Sequence, residues 1–564
     1  MATYAETRDD ETLRLLTPAI NAFIAQCHRP LSPTSTCPRQ TVFFFPGGMA
    51  SRLRRATAKF VDGAVGAQMF NYGTVWVTLL TPTGGARDLK MHRDSTGTFR
   101  DKGDYIIVAD APLSLLNCTP HDGFIAWCAA NNVDLFVFPW DWRRRLDETV
   151  TFFLRKFLPF FRASVQNAGC PDPLARFALV GHSFGGMVAN LLLRSNHPIL
   201  ANLTRVITVA TPFYGYAGQL HRWFEGDGYV NFFGLFKQEI METIASLPAL
   251  YVLHFLDETT FDNMTIQAGL TAVAEPFPLP AYPSRDAANP NLLADAYNPQ
   301  TNGALVRYPT LTGFARTELD YARLQFQYLA SPMDATLLQK FYNIRGVRTE
   351  ADNQTPINNT VGNITWGFIP TSFDASDPSP IVDGANVPGD DTQPAWTARL
   401  ATNAPERCIT VRASDIDHMF MMNHVSVLEA IQTVLCPGGA TVNPAEIPQP
   451  EPASDADMVE FLTFLHENRL RIKRWPDLED PELRKVLPAK FRDKLPSIAR
   501  RFISDVMKRP SPPGLQGPAG GAPDRAPRGP EGKPPRAPGR QPAGRQPTGP
   551  RGKGTSPKTK KKKR

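Results

Sequence analysis

Ser183 sits in the pattern Gly181-His182-Ser183-Phe184-Gly185, with a further glycine at 186, where the apolar run 177–180 meets the helical pattern of 184–193. A strand-to-helix corner this tight forces the serine into strained backbone geometry and crowds the positions two residues to either side, which is why glycine stands at both. The hydroxyl then projects above the sheet, and the first turn of the helix aims N–H groups at any negative charge that develops there. The chemistry such a corner serves is nucleophilic attack on a carbonyl. A serine hydroxyl does this only when a base removes its proton and a carboxylate holds the base, in the chain order serine, acid, histidine.

The segment 407–435 supplies two histidines. His418 falls in the loop between a strand pattern and a helix and is the expected base. His424 is read as lying one to two turns into that helix, as a half-buried helical residue. His182 is excluded as base, because a side chain adjacent to Ser183 in the corner points elsewhere. For the acid, the Gly/Pro loop 386–396 carries Asp390 and Asp391. Asp390 is preferred and Asp391 is the alternative; Asp383, Asp415 and Asp417 compete, the last two lying too near His418 in sequence and suiting solvated or capping roles. An oxyanion needs two amide donors. Phe184, next after the nucleophile, offers one, and Gly48 in the loop 45–51 offers the other, with Met49 as the alternative.

These residues must be positioned by a scaffold, and its pattern recurs along the chain. Short apolar runs at 41–48, 133–142, 177–182, 205–212, 340–346 and 407–413 are separated by helical stretches. Strands that are apolar on both faces and alternate with helices predict a parallel sheet covered on both sides, an α/β fold. The organisation that follows is an N-terminal extension over 1–40, a first core part over 41–212, an insertion over 213–335, a second core part over 336–436, a helical extension over 437–508 and a tail over 509–564. The insertion is too long for a structureless loop. It is read as a cap or lid, whose aromatic residues, Phe213, Tyr214, Tyr216, Trp223, Phe224, Phe232, Phe233 and Phe236, suit either an acyl chain or ordinary packing.

Seven motifs, FFPGGMASRL, PWDWRR, GHSFGG, VATPFYGYAG, SLPALYVL, GDDTQP and DHMFMMNHVSVLEAI, occur in this order between about residues 40 and 436. Together they resemble the lecithin:cholesterol acyltransferase-like family of the α/β-hydrolase fold. The resemblance implies Ser183 as nucleophile, Asp390 as acid and His418 as base of an acyl-enzyme mechanism on a lipid acyl ester. It implies an O-acyltransferase, or a lipase or phospholipase if water is the acceptor, with no cofactor and no metal. Two departures bear on the acid: Asp391 stands where the family has glycine, and Gln393 where it has valine. Asp141, Trp142 and Arg143 match the family's aromatic-Asp-Trp-Arg motif, and an Asp–Arg pair bracing the strand end beside the corner is the role read for them.

Charge separates the tail from the body. Residues 511–564 hold 14 Lys and Arg against Asp524 and Glu531, a net of +12, so the other 510 residues carry −5 of the chain's +7. The tail is rich in Pro, Gly, Ala and Arg and cannot bury enough apolar surface to offset chain entropy, so it is read as disordered. It is suited to an anionic membrane surface more than to nucleic acid. A silent hydrolase fold that binds through this tail is the reading from another class. The first twenty residues carry acids where a secretory signal needs positive charge, and no apolar run long enough to span a bilayer occurs, which predicts a cytoplasmic protein, peripheral at a membrane if attached to one. Seven scattered cysteines without a C-x-x-C pair are read as free thiols rather than a disulfide frame or a zinc site.

Overall fold

A computed structural model describes residues 3–56, 119–216, 243–253, 312–361, 386–400 and 405–439, together with the shorter stretches 58–61, 64–67, 74–76, 89–94, 98–101, 105–114, 364–366, 381–383, 442–446, 453–468, 487–498 and 500–501. The expected tail, and residues 217–242 and 254–311 of the expected cap, lie outside the described residues.

Six strands form the central sheet: β1 (Gln40–Phe45), β2 (Val133–Val137), β3 (Phe177–His182), β4 (Leu203–Val209), β5 (Phe341–Arg348) and β6 (Cys408–Ala413). Their order across the sheet is β6-β5-β4-β3-β1-β2, and all five pairings are parallel. The chain is an α/β protein with a parallel central sheet. Each core strand is apolar on both faces because each face meets a different helical layer. In β1, Phe43 and Phe45 enter one apolar cluster while Val42 and Phe44 enter the other; in β3, Phe177 and Leu179 part from Ala178 and Val180 in the same way. One layer holds α1 (Tyr4–Cys27), the end-to-end pair α3 (Leu146–Phe152) and α4 (Leu158–Asn167), and α5 (Phe184–Ser195); the other holds α2 (Asp122–Ala130) and α7 (Val425–Leu435). Each large side chain so buried contributes about 1.5–3 kcal/mol relative to exposure.

The stretch read as an N-terminal extension forms α1, a 24-residue helix opened by a capping box in which Thr3 and Glu6 satisfy each other's backbone amides. Its buried stripe, Leu16, Ile20 and Phe23, reaches the core, where the Phe23 ring lies 4.8 Å from that of Phe161. Of the aromatic residues assigned to the cap, Phe213, Tyr214 and Tyr216 are fully or almost fully buried in the core cluster. The other five lie outside the described residues, while Leu319, Ala322, Phe326 and Leu329 of α6 (Thr312–Ala330) lie in the same core cluster.

One expectation is corrected. Cys37 and Cys436 are joined in a disulfide across 399 residues of sequence, so the cysteines are not all thiols. Spacing gave no sign of it, because the bond links the lead into β1 to the residue that ends α7, two segments far apart in sequence that only the fold brings together. Cys27, Cys128, Cys170 and Cys408 are thiols. Among the described residues no helix is long and apolar enough to cross a membrane, and no group of His, Cys, Asp and Glu is arranged to hold a metal ion.

Candidate active site

The corner between β3 and α5 is built by close approach. A Cβ on Gly181 would collide with the backbone of Gly185 and Gly186, one on Gly185 with the carbonyls of Phe45 and Pro46, and one on Gly186 with the Thr211 side chain. Only hydrogen fits at these positions, so the helix lies directly on the ends of β1 and β4. Ser183 is left at φ 51° and ψ −128°, a region that non-glycine residues occupy only at a cost of about 1–3 kcal/mol. Its amide donates to the Val209 carbonyl at 2.7 Å, which ties the strained residue to β4.

His418 and Asp390 complete the arrangement. His418 Nε2 lies 2.9 Å from Ser183 Oγ, and His418 Nδ1 lies 2.8 Å from Asp390 Oδ2. Because a carboxylate only accepts, Nδ1 carries the proton toward Asp390 and Nε2 presents its lone pair to the serine hydroxyl. The other carboxylate oxygen, Oδ1, accepts from the amides of Thr392 and Gln393 at 3.2 and 2.6 Å. The His418 amide donates to the Asp390 carbonyl at 3.1 Å. Burial by itself lowers the pKa of His418, but the charge and hydrogen bond of Asp390, with Asp417 and Asp391 behind them, outweigh burial and raise it. The imidazole is therefore a stronger base than a free one.

Asp391, the alternative acid, makes no hydrogen bond to His418 among the described residues. It sits at φ 78°, in the left-handed region that glycine occupies at least cost, and this is the position where the resembling family has glycine. Burial first, then the charges of Asp417 and Asp390, push its carboxyl up to about 6. Asp415 hydrogen-bonds His424 at 3.1 Å and Asp417 caps the Met419 amide, so neither joins the serine. Asp383 pairs with Ile364 between two short antiparallel strands. His424 is not one to two turns into a helix: it is the residue before α7, and its Nδ1 accepts from the Ser426 amide at 3.2 Å. A 3-10 turn over Met421–Asn423 delays the start of the α-helix.

The amides of Gly48 and Phe184 donate to no acceptor among the described residues. The loop that carries Gly48 lies against the corner: a Cβ on Gly47 would stand 3.1 Å from Ser183 Cβ, and one on Gly48 3.3 Å from the Phe184 ring. Met49, the alternative, has φ 65°. The PWDWRR motif braces this loop. Trp140 Nε1 donates to the Pro46 carbonyl at 2.9 Å and its ring packs 5.2 Å from that of Phe184, while Arg143 forks onto Asp141 at 2.9 and 2.7 Å and reaches Asp101 at 2.8 Å. These buried charges are paired, as burial requires.

Sequence reasoning set aside His182 and did not single out His121, and both lie behind His418. His182 Nε2 is 2.9 Å from the His418 carbonyl, and His182 Nδ1 is 3.4 Å from His121 Nε2. The signal for His182 was its place in the glycine corner; for His121 no local pattern existed.

The chain matches no protein-family model and no curated protein. It is similar to a solved structure described as "The crystal structure of Tle4-Tli4 complex", at 13% identity and a TM-score of 0.42, covering 73% of this chain and 100% of that chain.

Proposed function

We propose that the chain is a serine-nucleophile enzyme that cleaves a lipid acyl ester through an acyl-enzyme and passes the acyl group to a lipid alcohol, as an O-acyltransferase does. The observation that carries the first half is the unbroken line from Ser183 Oγ through the His418 ring to Asp390, at 2.9 and 2.8 Å. His418 Nε2 takes the hydroxyl proton as Ser183 Oγ bonds to the ester carbonyl carbon. The oxyanion is held by the amides of Phe184 and Gly48. Collapse of the tetrahedral intermediate breaks the bond to the leaving alcohol, which takes the proton from His418, and the acceptor hydroxyl then repeats the sequence in reverse. The lipid alcohol as acceptor is supported by the resemblance to the lecithin:cholesterol acyltransferase-like family. Attachment to an anionic membrane through residues 511–564 is supported by their net charge of +12.

The test uses the full chain, Ser183→Ala, His418→Ala and a variant lacking 511–564, each incubated with a fluorophosphonate probe and then with labelled phospholipid plus a lipid alcohol. Wild type is expected to be labelled and to form the esterified alcohol, with both triad variants reduced by at least about 10³-fold. The tail deletion is expected to keep the label and lose retention on phosphatidylserine vesicles. Free fatty acid as the sole product assigns hydrolysis instead, and no labelling of wild type sinks the acyl-enzyme.

A further inference from the structure

We infer that His182, backed by His121, is a positioning residue for the base: a neutral imidazole whose Nε2–H holds the backbone of His418 in register with Ser183. The inference rests on the acyl-enzyme reading above and adds to it a part that the triad alone does not supply. A base works only if its ring stays within hydrogen-bond reach of both the serine and the acid, and His418 stands in a loop. Its backbone is gripped on both sides. The amide donates to the Asp390 carbonyl at 3.1 Å, and the carbonyl, an acceptor only, lies 2.9 Å from His182 Nε2.

The acceptor dictates every proton behind it. His182 Nε2 must carry hydrogen to serve the His418 carbonyl, so in the neutral ring Nδ1 is a lone pair. That lone pair faces His121 Nε2 at 3.4 Å, so His121 in turn carries its proton on Nε2 and leaves Nδ1 bare. His121 Nδ1 is buried without a hydrogen-bond partner among the described residues. Both rings are almost fully buried, at 2% and 1% exposure, with the Phe44 ring 4.8 Å from that of His121. Burial pushes His121 down to about 3 and His182 well below its usual value, the latter helped by His418, whose ring centre is 5.3 Å away. The pair therefore stays neutral when His418 becomes an imidazolium, and adds no repelling charge to it. Neither ring touches the reacting atoms.

Glutamine and asparagine separate this role from packing. A glutamine amide nitrogen falls near the position of histidine Nε2, whereas that of asparagine reaches only the position of Nδ1. With p-nitrophenyl butyrate as substrate, His182→Asn and His182→Phe are expected to lower kcat about 10- to 100-fold while KM stays within about twofold. His182→Gln should recover most of the rate, and His121→Phe should show a smaller loss of the same kind. Thermal midpoints are read alongside, and where His182→Phe does not fold, the order of Gln over Asn decides. Asparagine equal to or better than glutamine overturns the inference, as does wild-type kcat in His182→Phe while Ser183→Ala is inactive. Activity that survives Ser183→Ala overturns the acyl-enzyme reading itself, and this inference with it.

Discussion

Two adjacent carboxylates, Asp390 and Asp391, have different fates because backbone conformation sends only one of them to the histidine. Asp390 is held by the Thr392 and Gln393 amides on one oxygen and by His418 on the other. Asp391 stands at φ 78° and makes no hydrogen bond to His418. Asp390→Asn should therefore lower kcat by about 10³- to 10⁴-fold, since an amide favours the wrong imidazole tautomer. Asp391→Asn should keep the rate and move the acidic limb of the kcat/KM profile. The sign follows from charge: the Asp391 carboxylate helps raise the pKa of His418, so removing it lets the imidazole stay neutral to lower pH. The limb shifts downward. A limb that shifts upward, or a rate lost in Asp391→Asn and kept in Asp390→Asn, would reverse the assignment of the acid.

At the scale of elements, the site depends on how closely α5 lies on β1 and β4. Gly185 and Gly186 abut the Phe45 and Pro46 carbonyls and the Thr211 side chain with no room for a methyl group. Gly186→Ala is expected to cost about 1–3 kcal/mol through this overlap. The loss should appear in the midpoint of denaturation and also in the rate, because the displaced helix start carries the Phe184 amide. A Gly186→Ala protein as stable and active as wild type would show that the contact is not tight. The corner was legible because its glycines repeat at a set spacing after an apolar strand. The start of α7 was less so: a 3-10 turn ahead of it obeys no apolar period, and His424 was misplaced by a turn or more. The helix over residues 4–27 is written less plainly, although Thr3 and Glu6 form a capping pair.

Across the whole molecule, the disulfide ties the two ends of the core together. Cys37 precedes β1, which lies next to the edge strand β2, and Cys436 ends α7, which follows β6 at the opposite edge. Closing a loop of this length restrains the unfolded chain, and replacing both cysteines by serine should lower stability by about 2–4 kcal/mol. Reductant should bring the wild-type midpoint down to that of the Cys37→Ser/Cys436→Ser variant and leave the variant unmoved. A wild-type midpoint indifferent to reductant under denaturing titration would mean the bond does not contribute. The folded double variant should keep its activity, since neither sulfur lies in the serine site.

Sequence by itself determined the α/β class, the glycine corner and the candidate trio Ser183, Asp390 and His418, because these are written in local periods: apolar runs, helical stripes and residues whose chemistry demands a turn. Tertiary structure alone put Asp390 and not Asp391 in hydrogen-bond contact with His418, joined Cys37 to Cys436 and brought His121 and His182 behind that histidine. Those outcomes rest on distances between segments separated by tens to hundreds of residues, and on one positive φ. Neither leaves a local pattern, because a contact through space constrains both partners without requiring either to be spaced from the other along the chain.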